Sequence, residues 1–167
     1  MVLVGDECRV EKESGIKRIW YPKGEYPAIK VEQEKEAVSF YGALNVKTGK
    51  QSIRRITGRQ NSANTVLFLE QLEKEYQRMD VLLIWDGAPS HRGEVKVYLQ
   101  RHNLQWKLEI IYFPPYSPDL NPEEKVWKKG KQEITHNSED DFTTKVNKFE
   151  LFLLKTTFTT NFLKKYS

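Results

Sequence analysis

The chain has 167 residues, of which 38% are hydrophobic and 30% are charged, which excludes wholesale disorder and is typical of one globular domain. Its net charge of +4 permits a polyanionic partner without establishing one. The single cysteine, Cys8, excludes an internal disulfide and a multi-cysteine zinc site, and it fits a reducing cytosol. No apolar stretch approaches the roughly eighteen residues of a membrane span. We therefore expect a soluble cytoplasmic protein.

The first third of the chain has the two-residue period of β-strands. Residues 2–10 alternate weakly, residues 37–46 ("AVSFYGALNV") alternate clearly, and "KTGK" then turns the chain into a third strand at residues 52–57. Three strands in this order predict an antiparallel meander. Asp6 lies within the first of them, where a charged side chain needs a function or a partner.

The following hundred residues alternate helices with buried strands. Residues 61–64 can cap a first helix, and residues 95–102 predict a second, amphipathic one. "VLLIW" (81–85) and "LEIIYF" (108–113) are continuous apolar runs, typical of strands buried on both faces. Two further helices follow. The whole pattern predicts an α/β fold in which a mixed five-stranded sheet, made of the meander and then two parallel strands, has helices on both faces.

Two aspartates are expected to meet in this sheet. Asp86 directly follows a buried strand, at the carboxyl end where such sheets bind ligands. The strand of Asp6 is expected beside it, so the two carboxylates would lie about 5 Å apart. Carboxylates that close repel each other unless a divalent cation lies between them. With a third carboxylate from a nearby helix, they would form a site for two Mg²⁺ or Mn²⁺ ions about 3.5–4 Å apart, a geometry that serves attack on a phosphodiester.

The segment "YSPDLNPEEKVW" leads into the third helix and carries three carboxylates. Asn121 is a good N-cap, Pro122 fits the first helical position, and Glu124 falls at the third position of a capping box. Helix-start chemistry alone would account for these residues. We assign Asp119 to the turn and Glu123 to the exposed first turn of the helix.

Three blocks of the sequence resemble a known family. "DE" in the first strand, "WDGAPSH", and "FPPYSPDLNPEEKVW" are similar to the catalytic blocks of the mariner-type superfamily of cut-and-paste transposases, in particular its bacterial and archaeal insertion-sequence branch with a DDE catalytic domain. The resemblance covers roughly residues 1–135, and the third block is the specific one. By motif position it implies that Asp6, Asp86 and Glu124 are the catalytic residues and the metal ligands. It also implies a ribonuclease-H-like fold, two-metal strand cleavage, and transfer of a 3′-hydroxyl end into target DNA.

The resemblance also sets expectations for domains and partners. We expect a catalytic domain at residues 1–136 and a C-terminal helical extension at 137–167, packed on the same domain, in which Ser138 and Asp141 are placed like a capping box. Complete family members carry helix-turn-helix domains ahead of the first aspartate, whereas five residues precede Asp6 here. We therefore expect a domain cut from a longer protein, a split-frame product or a remnant, with recognition of transposon ends absent or supplied in trans by an upstream helix-turn-helix polypeptide. We expect a prokaryotic, nucleoid-associated protein that is a homo-oligomer on DNA.

Basic residues near these blocks are candidates for DNA contacts, although a solvated surface is the other interpretation of each cluster. They are Lys125, Lys128, Lys129 and Lys131 of the third helix, Arg54 and Arg55 of the third strand, and His91. Two other functions fit the sequence. One is a non-catalytic DNA-binding or assembly protein derived from a transposase. The other is a plain metal-dependent nuclease without a strand-transfer step.

Overall fold

The computed structural model describes residues 1–12, 36–56, 60–88, 93–102, 107–114, 117–135 and 140–159. The described strands are β1 (Val2–Glu11), β2 (Ala37–Asn45), β3 (Gln51–Ile56), β4 (Val81–Trp85) and β5 (Leu108–Tyr112). The described α-helices are α1 (Ser62–Glu75), α2 (Glu94–His102), α3 (Glu123–Thr135) and α4 (Phe142–Lys155). Among these helices, none has the length and apolar character needed to cross a bilayer.

The five strands form one mixed sheet in the order β3-β2-β1-β4-β5. β1 pairs antiparallel with β2, and β2 with β3, so the predicted meander is confirmed. β4 pairs parallel with β1 on one side and with β5 on the other. The turn between β2 and β3 contains Gly49 at φ +71°, a left-handed conformation that glycine adopts without strain. The predicted α/β fold with a mixed five-stranded sheet is therefore confirmed.

Helices cover both faces of this sheet, as predicted. One face packs against α1 and α2, and its buried core includes Leu3 and Tyr41. The other face packs against α3 and α4, and its core includes Cys8 and Phe40. Because successive strand residues point to opposite faces, Phe40 and Tyr41 belong to different cores. We call these two sides the α1/α2 face and the α3/α4 face.

The start of α4 differs from the expectation. Asp141 is itself the N-cap, since its Oδ1 accepts a hydrogen bond of 2.7 Å from the backbone amide of Thr144. The helix begins at Phe142, so Asp141 cannot occupy the third helical position of a capping box, and that prediction is wrong. Ser138, its predicted partner, lies outside the described residues.

Candidate active site

The structure brings Asp6 and Asp86 together at the centre of the sheet. In the parallel pairing of β1 with β4, Val4 lies opposite Ile84, and each aspartate follows two residues later in its own chain. One carboxylate oxygen from each of Asp6, Glu7 and Asp86 lies within 4.8 Å of the other two. Three carboxylates at this separation form an arrangement that a divalent cation can neutralise. Glu7 is a member that the sequence reasoning did not include.

A tryptophan side chain is hydrogen-bonded to Asp6. The indole Nε1–H of Trp127 donates a hydrogen bond of 3.1 Å to Oδ2 of Asp6. The pKa of the Asp6 carboxyl is raised to about 7, mainly by burial and in smaller part by the neighbouring negative charges of Glu7 and Asp86. The hydrogen bonds from the Glu7 backbone and from Trp127 lower it only in part. The site thus has more negative charge than its own hydrogen bonds compensate.

Asp86 also shapes the loop that follows β4. Its Oδ1 accepts a hydrogen bond of 3.1 Å from the backbone amide of Ala88, which is the pattern of an Asx turn. This is the strand-ending use of an Asp-Gly pair. It does not compete with a role in the cluster, because the same turn fixes the direction of the carboxylate relative to Asp6.

The two adjacent glutamates of α3 have opposite environments. Glu123 is fully buried, and Nε2 of Gln51 lies 2.7 and 2.6 Å from its two carboxylate oxygens. Burial raises the pKa of the Glu123 carboxyl well above its usual range. Our assignment of Glu123 to the exposed first turn is therefore wrong. Its side chain lies on the face of α3 that packs on the sheet, together with Val126, Trp127, Gly130 and Ile134.

Glu124 is exposed and lies outside the carboxylate cluster in this structure. Within the described part of the chain it makes no hydrogen bond or ion pair, so the capping box predicted from Glu124 is not formed there. Oδ1 of Asn121 accepts a hydrogen bond of 3.0 Å from the Glu123 amide. The helix begins at Glu123, so Asn121 and Pro122 lie one position earlier, relative to the helix, than the predicted N-cap and first helical residue.

The direction of Glu124 follows from its neighbours on the helix. Trp127 is three residues later and Lys131 seven residues later, and such positions lie on one side of an α-helix. Trp127 reaches Asp6 on β1, and the ammonium group of Lys131 interacts with the thiol of Cys8 on the same strand. Glu124 therefore lies on the side of α3 from which both side chains reach β1, one turn before the contact with Asp6.

The lysines predicted to contact DNA are all exposed on α3, but they do not share one environment. Nζ of Lys129 lies 5.9 Å from the centre of the Phe158 ring. Lys131 lies beside Cys8 on β1. Lys125 and Lys128 extend from the surface of the same helix. Their role in DNA binding stays a prediction.

The two arginines of β3 do not form one cluster. Arg54 donates a hydrogen bond of 3.4 Å to Gln71 on α1, whereas Arg55 donates one of 3.3 Å to Asn147 on α4. Adjacent strand residues point to opposite faces of a sheet, so the two guanidinium groups are separated by the sheet itself. A DNA contact from either arginine stays a prediction. His91 lies outside the described residues.

Three side chains that shape this site were missed by the sequence reasoning. Glu7 had a local signal, since it directly follows Asp6. Trp127 had one too, because it falls four residues after Glu123 and so shares a helix face with it. Gln51 had none, because its contact with Glu123 spans 72 residues of chain.

The fold matches the catalytic cores of transposases and retroviral integrases. The structure superposes on the Mos1 transposase paired-end complex with left transposon end at a TM-score of 0.63 and 17% identity, covering 93% of this chain and 48% of that one. It superposes on the catalytic core domain of BIV integrase at a TM-score of 0.54 and 12% identity, covering 99% of this chain and 95% of that one. The expected ribonuclease-H-like fold is therefore confirmed.

The family follows from the sequence comparison. The profile of the DDE superfamily endonuclease family matches residues 1–145, so the chain belongs to that family. It is also 30% identical over 141 residues to the Insertion element IS630 uncharacterized 39 kDa protein of Shigella sonnei. That alignment covers 81% of this chain and 39% of the relative, so the chain spans less than half of the relative's length. The expected resemblance to DDE transposase catalytic domains is confirmed, and membership of this family implies the use of divalent metal.

Proposed function

We propose that this chain is the catalytic domain of a transposase, which cleaves DNA strands and transfers a 3′-hydroxyl end into target DNA. In this proposal Asp6, Asp86 and Glu124 hold two Mg²⁺ or Mn²⁺ ions. The observation that carries it is the convergence of Asp6 and Asp86 on neighbouring parallel strands, with carboxylate oxygens within 4.8 Å, in a chain of the DDE superfamily endonuclease family.

The residues at the site fit divalent cations. All of the donors are carboxylate oxygens, which Mg²⁺ and Mn²⁺ prefer over sulfur and nitrogen ligands. The pKa of Asp6 is raised to about 7, mainly by burial, and a bound cation would favour the ionised carboxylate. When bound, the ions supply the positive charge that activates the attacking hydroxyl and stabilises the leaving oxygen. Asp6 is fixed by its bond from Trp127, and Asp86 by its bond from Ala88.

Glu124 is better suited than Glu123 to be the third ligand. The carboxylate of Glu123 is buried and held by Gln51 of β3, away from β4 and Asp86. Glu124 is exposed and lies on the side of α3 from which Trp127 reaches Asp6. Ligation would require the Glu124 side chain to turn from solvent toward Asp6 and Asp86.

The same side of α3 would hold the DNA backbone next to the metal site. Lys128 and Lys131 follow Glu124 by four and seven residues, and Lys125 adjoins it, so their ammonium groups would bind phosphates close to the scissile bond. Lys129, Arg54, Arg55 and His91 complete the proposed DNA-binding set, with the two arginines on separate faces. We also propose that the protein assembles as a homo-oligomer on DNA, and that a helix-turn-helix polypeptide recognises transposon ends in trans.

The test is nicking of supercoiled plasmid and joining of a pre-cut 3′ end to target DNA, each with Mg²⁺, with Mn²⁺ and with EDTA. We expect Asp86→Asn and Glu124→Gln to lower both activities by about 10³-fold or more, because each would remove a metal ligand. Glu123→Gln should retain most of the activity, since it can still accept a hydrogen bond from Gln51. Asp119→Asn, which changes an exposed carboxylate in the turn before α3, is the matched control and should be unaffected.

The possible outcomes separate the three functions. Cleavage that persists in both Asp86→Asn and Glu124→Gln would contradict the proposed site. A parent protein that binds DNA but nicks none with added metal would favour the non-catalytic DNA-binding protein. Nicking without joining would favour the plain nuclease.

A further inference from the structure

Resting on the proposed function, we propose that Trp127 is a positioning residue for the metal site. It fixes the carboxylate of Asp6 through its indole N–H, and it sets the distance between β1 and the helix that carries Glu124. Trp127 would not touch the metal or the substrate. Its effect would be on the affinity of the site for metal.

The first part of the argument is the hydrogen bond itself. Nε1 of Trp127 lies 3.1 Å from Oδ2 of Asp6, across 121 residues of chain. A carboxylate that is bound at one oxygen has fewer orientations open to it, so its other oxygen is directed before the metal arrives. The indole N–H can only donate a hydrogen bond. It can therefore bind a carboxylate oxygen but cannot accept a hydrogen bond in return.

A glycine in the sheet leaves space for the indole of Trp127. Gly42 of β2 lies directly opposite Asp6 in the antiparallel pairing. A Cβ atom at residue 42 would come within 2.4 and 2.6 Å of two carbon atoms of the Trp127 ring. Ring atoms of a packed tryptophan cannot move aside as the end of a flexible side chain can. Gly42 therefore makes the room through which Trp127 reaches Asp6.

The other side of the indole is packed as well. Phe149 of α4 stacks on Trp127 with ring centres 6.2 Å apart and planes at 19°. Phe149 in turn lies against Gly130 of α3, where an added Cβ would come within 2.7 Å of its ring. The indole is thus held between β2 and α4, and its N–H has little freedom to leave Asp6.

The position of Trp127 on α3 links two of the proposed ligands. Glu124 precedes it by three residues, which is just under one helical turn. A rigid contact between Trp127 and β1 therefore also fixes how far the start of α3 lies from Asp6. One side chain would set both the direction of Asp6 and the distance to Glu124.

The test compares three variants by direct binding of Mn²⁺, measured from the electron paramagnetic resonance signal of the free ion, and by thermal unfolding in EDTA. Trp127→Phe keeps an aromatic ring against Phe149 but removes the N–H. We expect it to weaken Mn²⁺ binding by 10- to 100-fold, the range typical for loss of a residue that orients a metal ligand. Val146→Ala is the matched packing control, because Val146 is a buried α4 residue of the same core: it should lower the melting temperature and change Mn²⁺ affinity by less than about threefold.

Gly42→Ala examines the room made for the indole. It should weaken Mn²⁺ binding in the parent, and its effect should be smaller in the Trp127→Phe background, because the clash with the indole is lost there and only the approach to Nε2 of Gln51, at 2.8 Å, remains. Equal Mn²⁺ affinity in Trp127→Phe and the parent would overturn the role of Trp127. Affinities that fall only in proportion to melting temperature, with Val146→Ala as damaging as Trp127→Phe, would overturn it too.

A spectroscopic measurement on the parent protein tests the role of Trp127 even if Trp127→Phe does not fold. The indole N–H resonance of Trp127 should shift when Mg²⁺ is added and when Asp6 is changed to asparagine. A resonance that moves in neither case overturns the inference. A parent protein that binds no Mn²⁺ in the first experiment would instead contradict the proposed function, and the role of Trp127 with it.

Discussion

The two faces of the sheet differ in the side chains that they bury. On the α1/α2 face, Tyr41, Phe68 and Trp85 pack ring against ring, and the buried hydroxyl of Tyr41 is hydrogen-bonded to Thr65 at 3.0 Å. On the α3/α4 face, the apolar core surrounds the carboxyl groups of Asp6 and Glu123. Buried carboxyl groups lower the stability of a fold unless they are compensated. The α1/α2 face therefore stabilises the fold, whereas the α3/α4 face buries carboxyl groups that lower stability, among them the proposed metal ligand Asp6.

The largest effect should come from the α1/α2 face. Phe68 is fully buried between Tyr41 and Trp85, so Phe68→Ala should lower the free energy of unfolding by roughly 3–5 kcal/mol, through lost burial and the cavity left behind. Urea denaturation measures this change. The protein that remains folded should bind Mn²⁺ as tightly as the parent. A fall in the metal affinity of the folded form would contradict the separation of the two faces.

The next effect concerns the charge at Asp6 and its dependence on pH. Its pKa is raised from 3.8 to about 7 in the folded protein, so the folded state holds a proton that the unfolded state releases between those values. The contribution of Asp6 to the stability of the metal-free protein should therefore be most favourable below about pH 4 and should fall as the pH rises to 7. The loss from this group should be about 2–4 kcal/mol, a figure that allows for its partial exposure to solvent.

Asp6→Asn sharpens this prediction, because it removes the titrating group and keeps the shape. Denaturation in EDTA should show a variant that is more stable than the parent at pH 8 and less sensitive to pH, although it no longer binds metal. Glu123 should leave a remaining slope in the same direction, since its pKa is raised as well. Saturating Mg²⁺ should reverse the slope for the parent, because metal binds the deprotonated carboxylate. An unchanged dependence of stability on pH in Asp6→Asn would contradict the raised pKa of Asp6.

The smallest effect should come from the exposed lysines of the α3/α4 face. Lys128→Ala should weaken DNA binding a few-fold and lower the slope of log affinity against log salt by about 0.9, the value for one lost phosphate contact. Lys107→Ala is the matched control, because Lys107 is exposed next to the start of β5, at the opposite end of the sheet from Asp86. Equal slopes of log affinity against log salt for Lys128→Ala and Lys107→Ala would contradict a contact between Lys128 and a DNA phosphate.

The fold could be predicted from the sequence because its signals are local. The period of two in β1 and β2, and the apolar runs of β4 and β5, follow from burial on one or both faces of a sheet. Asp86 was found for the same reason, since the end of an apolar run marks the carboxyl end of a buried strand. The pairing of β1 with β4, which brings Asp6 beside Asp86, followed from the order of the elements.

Some features of the site were not predicted correctly. They depend on contacts between residues far apart in the sequence, or on helix and strand periodicity that was not applied to individual residues. Glu123 was expected to be exposed because it begins a helix, yet its spacing from Trp127, Gly130 and Ile134 puts it on the buried side. Period two would also have separated Arg54 from Arg55. No local pattern could show that Gly42 makes room for Trp127, because the two residues meet only in the folded chain.

The most direct test of the proposed metal site is a crystal structure of the parent protein soaked with Mn²⁺, with anomalous scattering used to locate the ions. We predict anomalous density between the carboxylates of Asp6 and Asp86, with Glu124 turned inward to complete the coordination and Glu123 still bound to Gln51. Mn²⁺ held by Asp6, Glu7 and Asp86 while Glu124 remains in solvent would contradict the assignment of the third ligand. An absence of anomalous density at Asp6 and Asp86 under saturating Mn²⁺ would contradict the metal site as a whole.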